Sequence, residues 1–259
     1  MKYTSSAPVW LFVVLGAAGT WLHRMQVSTC YDDSGYIISG RPLTALLIGL
    51  CLLLALLAVV YGFICSRRQV LLTNAAEAFA PRRPLFYLPA MWLGALGLIA
   101  FSVCRFLLIS GQTKAELAAC LLALASGIGV FPLSLSLAQR KSSRAAAYLS
   151  AVIGVFFCLW MVLHFAGNTK NPVLLSFCTE CVAMGSTCLF LFALGSPAVG
   201  TTQNFTTVCF GLLSAGFSLL ALTGQQVDLC DRLVLAASLL LVVPNLITFL
   251  HNVPLKKKQ

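Results

Sequence analysis

Apolar stretches long enough to cross a bilayer, roughly 20 residues each, alternate with short polar stretches along the whole chain. The pattern predicts crossings over residues 7–22, 43–65, 87–109, 116–137, 147–165, 173–194, 206–222 and 233–250. This is an all-α, polytopic membrane protein with about eight transmembrane helices. The separating stretches carry the stop and start signals of helices. Pro42 and Pro172 stand at predicted first turns, where a missing N–H costs no hydrogen bond. In the segment Ser66 to Leu85, Asn74 followed by Glu77 reads as a helix start, and Pro81 closes it after about two turns.

Two of the apolar runs resemble each other. Leu121 to Pro132 and Leu233 to Pro244 align without gaps, pairing Ala125 with Ala237, Ser126 with Ser238, Val130 with Val242 and the two closing prolines. Arg41-Pro42 and Asn171-Pro172 then open equivalent crossings. The reading is of two parallel four-helix halves, residues 1–145 and 146–259, with a seam between them as the natural place for a site.

Composition adds two constraints. With 59% hydrophobic and 9% charged residues, the chain is far too apolar for a soluble domain, in which about a quarter of residues are charged. Its net charge of +10 comes from short basic clusters between apolar runs, not from one basic face, which argues against nucleic acid as a partner. Lys2, Arg67, Arg68, Arg82, Arg83, Arg140, Lys141, Arg144 and Lys256 to Lys258 fall on one side, so the positive-inside rule expects both termini in the cytoplasm of a cell membrane. Arg67, Arg68, Arg82 and Arg83, with the short helix between them, are expected against anionic lipid at that surface. The apolar run at the start also has the form of a signal peptide, but its exit through Trp21, His23 and Arg24 suits an interfacial anchor.

The candidate chemistry is sparse. Glu180 lies about six residues inside its crossing, roughly 9 Å at the helical rise, where a carboxylate needs a partner or a proton. Arg105 enters from the same side, and His164 and His23 stand near the ends of their crossings. Together the four form a candidate ligand- or ion-binding cluster. Pro132 and Pro244 are candidate bends, and Gly127 and Gly129 permit close helix approach. The 11 cysteines lack metal-ligand spacing: Cys178 and Cys181 form an isolated CxxC inside a crossing, and Cys30 and Cys230 share the non-basic side, where a disulfide is open to them. No metal site, cofactor or catalytic constellation is expected, and Asn204-Phe205-Thr206 is a sequon on the basic side, where it stays unmodified.

The functional expectation is a transport-type protein that binds or moves a small solute between the two halves, driven by a separate motor subunit if ATP is used. The alternative is a non-transporting subunit, sensor or scaffold that docks a membrane-protein partner through helix faces and its basic loops.

Overall fold

A computed structural model of the chain describes residues 5–30, 38, 41–108, 113–141, 144–168, 174–198, 200–222 and 228–256. Among them the fold is all-helical, without strands. In chain order the helices are α1 (Ala7–Thr29), α2 (Pro42–Arg68), the short α3 (Ala75–Phe79), α4 (Pro84–Leu108), α5 (Lys114–Ala138), α6 (Arg144–Asn168), α7 (Leu174–Gly195), α8 (Asn204–Ala221) and α9 (Leu229–Asn252). Seven of these, α2 and α4 to α9, are long and apolar enough to cross a membrane. The expected eighth, α1, is not among them, and it runs on past Leu22, where it was expected to end, through His23, Arg24 and Gln26 to Thr29.

Helices α4 to α9 close into a ring in chain order, each packing on the next and α9 returning to α4. Helices α4 and α6 meet across the ring through side chains, with the Phe101 ring 5.6 Å from Phe156 and 4.7 Å from Trp160. Helix α8 is the most enclosed, because α1 and α2 pack on its outer side while α7 and α9 flank it. Helix α2, by contrast, leaves Leu46, Leu52, Leu56, Val60 and Phe63 exposed, the lipid-facing pattern of a peripheral span.

Glycine permits the closest backbone approaches. A Cβ on Gly16 would lie 2.7 Å from the Gly216 carbonyl oxygen of α8, and Thr20 one turn later donates to Leu219 O at 2.6 Å. Gly127 does the same between α5 and α4, where a Cβ would fall 2.9 Å from Ala95 O. Both contacts fit the small-residue rule for helix packing in lipid.

The loops at the end that carries Arg67, Arg68, Arg82, Arg83, Arg140 and Arg144, here termed the basic end, are fastened together. Gln69 pairs with Leu255, Val70 N donates to Pro254 O at 3.0 Å, and Thr202 N donates to Leu72 O at 2.8 Å. The uncharged stretch after α7 therefore lies at the basic end, as the alternation of crossings expects. Asn204 is buried there with its amide on Val70 O at 3.2 Å, so the sequon is not presented for glycosylation. Helix α3 forms where Asn74 and Glu77 predict it. Ala78 and Phe79 are buried, and Phe79 stacks 5.2 Å from Phe249 of α9, so the segment seals the underside of the ring.

The two halves differ in packing. Helix α7 lies along α8, whereas α2 and α4, their counterparts in a four-plus-four repeat, do not touch among the described residues. Pro132 and Pro244 lie within continuous helices, as does Pro89 of α4. Asp32, Asp33, Lys170, Pro172, Lys257 and Lys258 lie outside the described residues.

Candidate functional site

The polar groups of the ring interior gather at two levels. The first is near the end opposite the basic one. Trp160 and His164 are one turn apart on α6 and so share a face; Glu180 comes from α7 and Asp231 from the first turn of α9. His164 Nε2 lies 2.5 Å from Glu180 Oε2, and its Nδ1 lies 3.5 Å from Asp231 Oδ2. One imidazole thus bridges two carboxylates, one on each ring nitrogen. Trp160 Nε1 donates to Asp231 Oδ1 at 2.9 Å, giving that carboxylate a second partner. Glu180 is 4% exposed and Asp231 7%, so solvent screens this group little.

Between the group and water stands Arg105, near the end of α4. Its guanidinium lies over the Trp160 ring, 5.2 Å from the centroid, and 3.4 Å from both Glu116 of α5 and Asp228 ahead of α9. Glu116 is itself held by a reciprocal cap with Thr113, whose N–H donates to Glu116 Oε2 at 2.9 Å. Charged and polar groups therefore run inward without interruption: Asp228 and Glu116, Arg105, Trp160, Asp231, His164, Glu180.

The second level lies two turns deeper. Thr187 follows Glu180 by seven residues on α7, and Ser238 follows Asp231 by seven on α9, so both helices carry the same polar step. Thr187 Oγ1 lies 2.7 Å from Ser214 Oγ and 2.6 Å from Ser238 Oγ, with Ser218 Oγ 3.0 Å from Ser238 Oγ. These hydroxyls satisfy one another and the Ala183 carbonyl, to which Thr187 donates at 2.7 Å. Buried Ala183, Met184, Val234 and Leu235 separate them from the upper group. The α9 series continues with Asn245, which accepts from Tyr87 at 2.9 Å, and Asn252, which donates to Ala80 O at 2.7 Å.

Neither a family model, a curated protein nor a solved structure matches this chain.

Of the four residues expected to cluster, Glu180 and His164 are in direct contact, and Arg105 joins them through Trp160. His23 does not join. It lies inside α1, fully buried, with Nδ1 3.2 Å from Gln26 Oε1, and Gln26 in turn donates to Thr44 of α2 at 3.1 Å. Asp231 was missed, because Asp228 and Arg232 beside it read as a polar turn. The seven-residue spacing of Asp231, Ser238, Asn245 and Asn252 is the signal that reveals it, since residues two turns apart share a helix face.

His164, Glu180 and Asp231 bring three ligand-type atoms within 4.8 Å of one another, a set that includes metal-ligating residue types and so modifies the expectation of no metal site. The same three side chains can share a proton among themselves, the imidazole meeting one carboxylate at each ring nitrogen. The eleven cysteines are free. Cys30 and Cys230 are both buried, and Cys178 and Cys181 are unpaired on α7.

Proposed function

We propose that this chain is a multi-pass membrane protein of transport type, in which the His164–Glu180–Asp231 group takes up and releases a proton as a small ion or solute crosses. The observation that carries the reading is the imidazole held between two buried carboxylates from separate helices. Ionisable groups inside a membrane bundle are costly and mark ion or proton pathways. Histidine is the side chain whose unperturbed protonation lies nearest neutral pH. An array of two acids and one base on three helices also responds to helix movement, since sliding one helix changes which carboxylate the imidazole meets.

On this reading the basic end faces the cytoplasm of a cell membrane, with both termini there, by the positive-inside rule. Helix α1 is the eighth crossing. Its 23 residues span about 34 Å at the helical rise, and its contacts run along α8 from Phe12 to Thr20. The site lies within α6 to α9, reached by Arg105 of α4, and not on a seam between two equal halves. The activity is that of a carrier or conductor, not an enzyme.

The second reading, a non-transporting subunit that docks a partner through helix faces, draws support from α2, whose apolar outer face is almost wholly uncovered. Purified protein in liposomes that trap a pH-sensitive dye separates the two. Wild type should collapse an imposed proton gradient faster than protein-free vesicles, and Glu180→Gln should return the rate to background. Equal rates for wild type and Glu180→Gln would overturn the transport reading and favour the subunit.

A further inference from the structure

At the basic end, α1 diverges from α4 and α9 and leaves a crevice of about 660 Å³. Its walls are apolar: Trp10 from α1, Phe86 from α4 and Ile247 from α9, with Trp10 and Phe86 strongly exposed. Its mouth is basic. Arg82 and Arg83 line it beside His251, and none of its lining residues is acidic. Arg82 is set in place by α9, since its Nη2 donates to the His251 carbonyl at 2.5 Å. Pro84 starts α4 immediately after the pair, so the two guanidiniums lead directly into the wall that carries Phe86.

A crevice that is apolar in the depth of the acyl chains and doubly cationic at the depth of the headgroups matches one occupant. We propose that it binds a single anionic phospholipid of the leaflet at the basic end, the phosphate against Arg82 and Arg83 and an acyl chain between Trp10 and Phe86. The charge complementarity sets the headgroup class, and the uncovered aromatic walls set the chain. Arg67 and Arg68, at the same end, are not part of the crevice. Arg67 instead lies over Phe63 on the outer face of α2, 4.5 Å from the ring centroid.

The test is native mass spectrometry of the full chain released from detergent containing phosphatidylglycerol and phosphatidylcholine. Wild type should retain phosphatidylglycerol in preference to phosphatidylcholine. Arg83→Ala should weaken that retention roughly fivefold, and the R82A/R83A pair about 25-fold, as expected for one surface cation each. The R67A/R68A pair removes the same charge from the same end and should leave retention unchanged. Equal losses in the two pairs would reduce the effect to general surface attraction and overturn the proposal. Unchanged retention in R82A/R83A, or no preference in wild type, would overturn it too.

Discussion

Two polar clusters sit on the same pair of helices, and they are built for different purposes. Glu180 and Asp231 occupy one level of α7 and α9, and Thr187 and Ser238 occupy the next, seven residues on in each case. The deeper cluster is neutral, and each hydroxyl finds another hydroxyl or a carbonyl within hydrogen-bonding distance. It is a way of joining α7, α8 and α9 where lipid supplies no hydrophobic force between helices. The upper cluster places two acids around one base, so the number of protons it holds changes which of its contacts are ionic. Helix joining needs only the first kind of cluster, so the second points to function.

That contrast can be broken by mutation. His164→Ala leaves two buried carboxylates facing each other without their shared partner. Removing one member of a buried ion pair costs about 3–5 kcal/mol, so this variant should show the larger loss in a reversible unfolding assay in mixed micelles, and the loss should shrink as pH falls and the acids are protonated. Thr187→Val removes the hub of the deeper cluster while keeping its shape. Interhelical hydrogen bonds in membrane proteins are worth about 0.6 kcal/mol on average and 1.7 at most, so the cost should fall in that range and not vary with pH. If Thr187→Val cost as much as His164→Ala, or showed the same pH dependence, the distinction between a joining cluster and a titrating one would be lost.

The sequence made the class and most of the helices legible, because apolar runs report where the chain meets lipid. Helices α4 to α9 begin and end within a few residues of the runs that predict them, apart from α9, which starts four residues early at Leu229. That early start is what hid Asp231, since a residue in a polar turn gives no hint that the helix already contains it. Helix α1 also outran its apolar stretch, at its C-terminal end. His23 and Arg24 read as the start of a loop, but the helix continues through them to Thr29, with His23 Nδ1 paired to Gln26 and Gln26 donating to Thr44 of α2. Glu180 stood out in the sequence because a lone acid within an apolar run is costly wherever it points. Its partner His164 was placed in the same candidate cluster from its position near the same side, together with His23, and nothing in the sequence told the two histidines apart. The ring closure of α9 on α4 depends on contacts between distant segments, and no local pattern carries it.

On the proposed function, His164 exchanges a proton while it stands between Glu180 and Asp231. Solid-state NMR of protein labelled with nitrogen isotope at its 3 histidines, in lipid bilayers, reads the protonation of each ring nitrogen directly. His164 should carry protons on both nitrogens at the acid end of the titration, lose one as the pH is raised, and change its titration in Glu180→Gln. A His164 that kept one protonation state throughout, with the same spectrum in Glu180→Gln, would contradict it.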